Sequence, residues 1–81
     1  MTKQILILYH FASCPFCIKV QRYLDANNIS IETKDIMTDP NAKDELMSLG
    51  GKTQVPCLNI NGRALYESDD IIHWFETHYD S

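Results

Sequence analysis

Two cysteines separated by two residues are the part of this sequence best suited to chemistry. Cys14 and Cys17 enclose a proline and an aromatic residue, Pro15 and Phe16. Such a pair can exchange electrons by cycling between thiols and a disulfide, can supply half of a tetrahedral metal site, or can fill space in a core. The position of the pair in the chain helps to distinguish these three interpretations.

That position favours redox chemistry. An apolar stretch ends near His10 and a helical pattern begins near Cys14, which places Pro15 at the first helical position. The free N–H groups and the positive dipole end of a helix N-terminus stabilise an anion, and the thiolate is the reactive form of cysteine. We therefore expect Cys14 to be an exposed nucleophile and Cys17, one turn further on, to be the resolving cysteine.

The metal and core interpretations have less support. A zinc site needs two more ligands, and although Cys57 and three histidines are available, no second Cys-x-x-Cys or His-x-x-x-His pair accompanies them. An iron–sulfur cluster bridging two chains is disfavoured because a proline between the cysteines stiffens the turn. Two thiols at a strand-to-helix junction are an unusual way to fill a core. We predict no metal at this pair.

Length and composition narrow the class of protein. A chain of 81 residues has the size of one domain, which we place at residues 1–81. The net charge of −4 and the lack of a basic stretch argue against nucleic acid as a partner. No apolar run approaches the roughly 20 residues that span a membrane, and the N-terminus lacks signal-peptide features. Three cysteines do not suggest a secreted disulfide framework, so we expect a cytoplasmic monomer.

The sequence pattern predicts seven elements in the order β-α-β-α-β-β-α. The first strand covers residues 3–10, and the first helix runs from Cys14 to an Asn-Asn stop signal. Alternation of Ile29, Ile31 and Thr33 predicts a half-buried second strand. A strand, a helix and a second strand in this order predict parallel pairing with a right-handed crossover.

The second half of the chain carries clear end signals. An Asp-Pro pair starts a helix that two glycines end, and an Asn-Gly pair between two apolar runs predicts a β-hairpin. The last helix should be capped by Ser68 or Asp69 and should include Tyr79. These elements predict an α/β fold with a four-stranded mixed sheet and helices on both faces.

The motifs together resemble the glutaredoxin family of the thioredoxin-like superfamily. The stretches LYHFASCPFC and TQVPCLNINGRALYESDDI carry the resemblance, with the element order. It implies a glutathione-dependent oxidoreductase, with glutathione as co-substrate, that acts on protein disulfides and glutathionylated proteins. Cys14 would be the nucleophile and Cys17 the resolving cysteine. Val55 and Pro56 would form a cis-proline loop, in which the Val55 backbone pairs with the cysteine moiety of bound glutathione.

The resemblance also implies an anion site at the start of the last helix. There the γ-glutamyl carboxylate of glutathione would bind, and Ser68 and Asp69 match the family positions that contact it. The sequence departs from the family at three places around this groove. Phe11 occupies a position where a lysine often binds the glycine carboxylate, and Gln54 occupies a position where threonine is frequent. Tyr66 and Glu67 stand before the last helix, where many members have two glycines.

Two stretches, QVPCL and ALYESDDIIHWF, instead resemble the N-terminal domain of glutathione transferases, which shares the fold and the ligand. This resemblance implies that Gln54, Glu67 and Ser68 bind glutathione, with Glu67 at the γ-glutamyl ammonium, and that Lys52 assists the glycine carboxylate. Three other functions stay open. They are a glutathione-binding module without redox turnover, a glutathione-independent redoxin reduced by thioredoxin reductase, and a carrier of an iron–sulfur cluster.

Overall fold

A computed structural model describes residues 5–78 of the chain. It contains the seven elements in the predicted order: β1 (Leu6–His10), α1 (Pro15–Ala26), β2 (Glu32–Asp35), α2 (Pro40–Gly50), β3 (Cys57–Ile60), β4 (Arg63–Tyr66) and α3 (Ser68–His78). The predicted start of β1 at Lys3 and the predicted helical position of Tyr79 lie outside the described residues.

The four strands form one mixed sheet in the order β2-β1-β3-β4. β1 and β2 run parallel, with His10 opposite Asp35, and β3 is antiparallel to both β1 and β4. The predicted mixed sheet is therefore confirmed. Because the carboxyl ends of β1 and β2 lie side by side, the loops that follow both strands meet at one end of the sheet, where the cysteine pair begins α1.

Alternating side chains along β1 divide the core between the two faces of the sheet, since successive strand residues point to opposite sides. Leu8 packs on the face covered by α1 and α3, with Val20, Leu24, Leu58, Ile71 and Phe75. Tyr9 packs on the face covered by α2, with Ile36, Ala42, Leu46 and Cys57. Helices on both faces were predicted, and α1 and α3 share one of them.

Capping and turn residues explain several boundaries. The Asp39 carboxylate accepts the backbone N–H of Asn41 at 3.0 Å at the start of α2. Gly51 ends that helix at a φ of 79°, a conformation that glycine adopts without steric penalty. Asn61 and Gly62 both have positive φ, 53° and 94°, as a two-residue hairpin turn between β3 and β4 requires. These three sequence predictions are confirmed.

The predicted start of the second strand is wrong. β2 begins at Glu32, so Ile29 and Ile31 precede it, and Thr33 is exposed. The reason is that the backbone N–H of Ile29 donates to the Leu24 carbonyl at 2.9 Å, which uses this stretch to end α1. Ile29 and Ile31 still pack against the core on the α1–α3 face, but they do so from the loop.

The predicted caps of the last helix are also wrong. Ser68 is already the first residue of α3, and Glu67 precedes it with a φ of 73°. The Glu67 carbonyl accepts the N–H of Ile71 at 3.0 Å and begins the helical hydrogen bonding. The left-handed conformation of Glu67 turns the chain directly from β4 into α3, so the helix begins before Asp69 can cap it.

Candidate active site

The cysteine pair lies at the N-terminus of α1, as predicted. Cys14 is the N-cap residue, with a φ of −79° and a ψ of 116°, and Pro15 is the first helical residue. The N–H of Cys14 donates to the Phe11 carbonyl at 3.2 Å, which closes a tight turn between β1 and α1. Both cysteines are free thiols. Cys14 therefore stands where the positive end of the helix dipole favours an anion.

Cys14 is more buried than the sequence suggested, and Cys17 is almost inaccessible. Cys14 is 6% exposed and Cys17 is 1% exposed, so the expectation of an exposed Cys14 is wrong. An N-cap side chain lies over the first turn of its own helix, and here that turn carries Cys17. Phe16, between them, is 62% exposed and offers an apolar surface beside the pair.

The surroundings of Cys17 favour its protonated, unreactive thiol form. Burial raises the pKa of Cys17 to about 12, and the hydrogen bond and charge of Cys14 and the charge of Asp35 act in the same direction. A backbone hydrogen bond from Phe11 opposes them. Because thiols do not attack disulfides, Cys17 does not compete with Cys14 for a first substrate.

A groove runs beside the pair towards the start of α3. Its volume is about 360 Å³, and it is lined by Phe16, Gln54, Val55, Pro56, Glu67, Ser68 and Asp69. The Val55–Pro56 bond is cis, as the family resemblance implied, and Pro56 is buried. Six of the nine predicted site residues line this groove, and the two cysteines lie at the helix start beside its Phe16 end.

Two groove residues hold each other in place. Gln54 Nε2 donates to Glu67 Oε1 at 3.0 Å, which ties the cis-proline loop to the turn before α3. Glu67 also adopts the left-handed conformation that non-glycine residues seldom take, with a φ of 73°. Such strained residues concentrate at binding and active sites because the surrounding structure must hold them there.

The N-terminus of α3 forms the far end of the groove. Ser68 is 7% exposed, and Asp69 is exposed and forms an ion pair with Lys19 from α1. This pair joins the two helices that flank the groove. Sequence reasoning missed Lys19, since no local pattern relates two residues that lie fifty positions apart.

Lys52 is the one predicted ligand residue that does not line the groove. Its ammonium lies 4.4 Å from the centre of the Tyr66 ring, in a cation–π arrangement, and its carbonyl accepts the Tyr66 hydroxyl at 3.2 Å. Phe11 is half-buried and packs against the core on the α2 face, so it offers a ring where the family often has a cation. Among the groove-lining residues there is no lysine or arginine.

The third cysteine has the surroundings of a packing residue. Cys57 follows the cis-proline, is completely inaccessible, and packs beside Tyr9 on the α2 face of the sheet. Burial raises the pKa of Cys57 to about 11. A buried, protonated thiol is a poor nucleophile, and this supports the interpretation of Cys57 as a small apolar strand residue.

A larger cleft lies away from the cysteines. It has a volume of about 740 Å³ and is formed by α2 and the sheet face that carries Tyr9. The Tyr9 hydroxyl donates to Glu45 at 3.0 Å there, and Lys34 donates to the same carboxylate at 2.7 Å. The groove beside the cysteine pair is smaller, but it begins at Phe16, between the two cysteines, and ends at the N-terminus of α3.

Residues 5–78, which the structure describes, offer neither a cluster of metal ligands nor a membrane-spanning helix. Within that range no group of three or more histidine, cysteine, aspartate or glutamate residues is arranged to hold a metal ion. Within the same range no helix has the length and apolar character needed to cross a membrane.

Comparison with known proteins places this geometry in a family. Residues 8–81 match the family model of the glutathione S-transferase N-terminal domain. Glutaredoxin 1 of Rickettsia prowazekii (strain Madrid E) is 33% identical over 78 residues, which cover 90% of this chain and 82% of that protein. The uncharacterized glutaredoxin-like 8.6 kDa protein in the rubredoxin operon of Clostridium pasteurianum is 31% identical over 58 residues, or 72% of this chain and 77% of that protein.

A solved structure gives the same assignment. Glutaredoxin 2 from Salmonella typhimurium, crystallised in complex with glutathione, matches with a TM-score of 0.75 at 28% sequence identity. The match covers 93% of this chain and 34% of that one. The fold, the cysteine pair at the start of α1 and the similarity to these proteins agree, and the chain belongs to the glutaredoxin family of the thioredoxin-like superfamily, as a glutaredoxin-type thiol oxidoreductase.

Proposed function

We propose that this protein is a glutathione-dependent, dithiol oxidoreductase that reduces protein disulfides and glutathionylated protein thiols in a reducing compartment such as the cytoplasm. The observation that carries the proposal is the groove that runs from Phe16, between the two cysteines, to the N-terminus of α3. Glutathione is an elongated thiol with a carboxylate at each end. A groove with a reactive thiol near one end and a helix N-terminus at the other matches that shape and charge.

In the proposed complex, the γ-glutamyl group lies at the start of α3. Its carboxylate accepts the free N–H groups of the first turn, where Ser68 and Asp69 stand, and its ammonium pairs with Glu67. The Gln54 amide already holds the Glu67 carboxylate at 3.0 Å, so the ammonium meets an oriented partner. The Val55 backbone pairs with the cysteinyl part of glutathione, which directs its sulfur towards Cys14.

The reaction begins with the Cys14 thiolate. It attacks the glutathione sulfur of a glutathionylated protein, a Cys14–glutathione disulfide forms, and the protein sulfur leaves and takes a proton. A second glutathione thiolate then attacks the glutathione sulfur of that mixed disulfide. Glutathione disulfide leaves, and Cys14 is reduced again without any use of Cys17.

Protein disulfides require the second cysteine. Cys14 attacks one sulfur of the substrate disulfide, and the resulting mixed disulfide is resolved by Cys17, which attacks the Cys14 sulfur and releases the reduced substrate. A Cys14–Cys17 disulfide remains. Two molecules of glutathione reduce it and leave as glutathione disulfide, which an NADPH-dependent glutathione reductase converts back to glutathione.

A coupled assay tests the proposal. Glutathione, glutathione reductase and NADPH are supplied, and NADPH oxidation is followed with a small glutathione mixed disulfide as substrate. We expect turnover with the native protein, no turnover with Cys14→Ser, and retained turnover with Cys17→Ser. On a protein disulfide, Cys17→Ser should lose activity because no resolving thiol remains.

The open alternatives give different results in the same experiment. A redoxin that does not use glutathione would show no NADPH oxidation here but would turn over with thioredoxin reductase and NADPH. A cluster carrier would show visible absorbance after anaerobic reconstitution with iron and sulfide, lost in Cys14→Ser. A binding module without turnover would bind glutathione in calorimetry and leave NADPH unchanged. Each of these outcomes would replace the proposed function.

A further inference from the structure

The charged side chains of the groove beside the cysteine pair lie at one of its ends. Among the lining residues the charged ones are Glu67, immediately before α3, and Asp69, in the first turn of α3. Lys19 of α1 forms an ion pair with Asp69 and so brings a positive charge to the same end. The first turn of α3 adds backbone N–H groups that no helical carbonyl accepts. This end of the groove therefore offers partners for both a carboxylate and an ammonium group.

The rest of the groove is uncharged. Phe16, Val55 and Pro56 supply apolar surface there, and Gln54 supplies an amide whose nitrogen already donates to Glu67 at 3.0 Å. Phe16 is 62% exposed and Gln54 is exposed as well, so this part of the groove opens to solvent. A carboxylate placed here stays hydrated and gains no charged partner from the lining residues.

Two residues next to this uncharged part do not provide a cation. Phe11 accepts the N–H of Cys14 through its carbonyl at 3.2 Å, which places residue 11 at the cysteine turn, but its ring packs against the core on the α2 face. Lys52 precedes Gln54 by two positions, and its ammonium lies 4.4 Å from the centre of the Tyr66 ring. Across residues 5–78, neither a lysine nor an arginine side chain lines the groove, and its charged groups are confined to the α3 end.

We propose that the groove recognises the γ-glutamyl end of its thiol and does not recognise the glycine end, so that its substrates are thiols built on γ-glutamylcysteine, whatever unit follows the cysteine. This specificity rests on the proposed function, since it requires the γ-glutamyl group to bind at the start of α3. From there the cysteinyl part reaches Cys14 past Val55, and the unit that follows it lies over the uncharged part of the groove. A glycine carboxylate, an ester of it, or no glycine at all then meets the same solvent-open surface.

Transfer of a thiol to Cys14 in the Cys17→Ser protein tests this specificity with three symmetrical disulfides. They are glutathione disulfide, the disulfide of glutathione ethyl ester, which is esterified at glycine, and the disulfide of cysteinylglycine, which lacks the γ-glutamyl group. In each case the Cys14 thiolate attacks one sulfur, a mixed disulfide forms on Cys14, and the other thiolate leaves and takes a proton. Mass spectrometry of quenched samples gives the rate. Each rate is divided by that of the same disulfide with 2-mercaptoethanol, which corrects for its intrinsic reactivity.

The three disulfides should separate into two groups. We expect glutathione disulfide and the ester disulfide to react within about twofold of each other, and cysteinylglycine disulfide to react at least about tenfold more slowly, since it lacks the charge-assisted hydrogen bonds of the γ-glutamyl group. If glutathione disulfide is preferred over cysteinylglycine disulfide but the ester disulfide is slower by about fivefold or more, the proposed function stands and this specificity is overturned. If cysteinylglycine disulfide reacts as fast as glutathione disulfide, the proposed binding of glutathione is overturned as well.

Variants of the Cys17→Ser protein locate the recognition. Glu67→Gln should slow glutathione disulfide and the ester disulfide by about tenfold each and leave cysteinylglycine disulfide within about twofold, because the γ-glutamyl ammonium loses its charged partner. Equal slowing of all three would overturn the proposal. Lys52→Ala should change the rates with glutathione disulfide and the ester disulfide by the same factor. A slowing confined to glutathione disulfide, and absent from Lys43→Ala, which removes an exposed cation from α2, would show that Lys52 reaches the glycine carboxylate and would overturn the proposal.

Discussion

The Glu67 carboxylate offers a direct test of how the groove binds glutathione. In the native protein the Gln54 amide nitrogen lies 3.0 Å from a Glu67 carboxylate oxygen. Glu67→Gln removes the negative charge but retains an oxygen that can accept this hydrogen bond, and we expect the backbone conformation to stay the same. A hydrogen bond to a charged group contributes about 1.5–3 kcal/mol. Because Glu67 is exposed, the lower end applies, and about 1.5 kcal/mol corresponds to about a tenfold loss of kcat/KM for glutathione.

The coupled assay measures this loss at several glutathione concentrations. Single-turnover reduction of DTNB, an aromatic disulfide that releases a coloured thiolate, measures the intrinsic reactivity of Cys14 in the same variant. We expect the first to fall about tenfold and the second to stay within about twofold. Glu76→Gln, which removes an exposed carboxylate from the other end of α3, should change neither. The loss should shrink as salt increases, since the groove is open to screening ions. An unchanged kcat/KM, or equal losses in both assays, would refute a role of Glu67 in holding the γ-glutamyl ammonium.

Three further predictions concern stability. The thiol of Cys57 has an ordinary pKa of 9.0 when unfolded and about 11 when folded. The free energy of unfolding should therefore fall as the pH rises through this window. In urea unfolding at about pH 8 and about pH 11, we expect this fall to be roughly 2–3 kcal/mol smaller in Cys57→Ala than in the native protein. The same fall in both proteins would contradict the prediction. Gly50→Ala should lower the free energy of unfolding, measured by heat or urea, by about 1–3 kcal/mol because the added Cβ overlaps the Tyr66 hydroxyl. An unchanged free energy of unfolding would contradict the close contact between Gly50 and Tyr66. Lys19→Gln should lower the free energy of unfolding by less than about 1 kcal/mol, since its ion pair with Asp69 is exposed. A loss above about 2 kcal/mol would contradict this assignment as an ordinary surface ion pair.

Three signals that act over a few residues gave correct predictions, whereas the predicted cap of α3 at Ser68 or Asp69 was wrong. The cysteine pair and its proline mark the start of α1, an Asp-Pro pair marks the start of α2, and the Asn-Gly pair forms the hairpin turn. Each depends on local stereochemistry, namely an N-cap, a restricted φ or a positive φ. The cis bond at Val55–Pro56 followed from the family resemblance, since spacing alone does not distinguish cis from trans.

Features that depend on tertiary contact were not predictable in the same way. The burial of Cys14 depends on how the turn from Phe11 folds over α1, and the shorter β2 depends on the Ile29 amide ending α1.

The position of Lys52 illustrates the same limit for ligand residues. The resemblance to the glutathione transferase N-terminal domain suggested a place in the groove, but the Lys52 side chain extends over the Tyr66 ring instead. Residues one or two positions apart in a loop point in different directions, so sequence proximity does not fix a shared site. Whether Lys52 assists the glycine carboxylate stays a prediction, which Lys52→Ala tests through the KM for glutathione.

The central claim is that Cys14 accepts glutathione from a substrate and that Cys17 resolves the resulting mixed disulfide when no free glutathione is present to do so. Mass spectrometry of the Cys17→Ser protein after incubation with a glutathionylated peptide tests this most directly. We expect a mass gain of one glutathione, mapped by digestion to Cys14, with Cys57 unmodified because it is inaccessible. The native protein should instead show a Cys14–Cys17 disulfide or return to its reduced form. Glutathione on Cys57, or no adduct on either thiol, would contradict the assignment of Cys14 as the nucleophile.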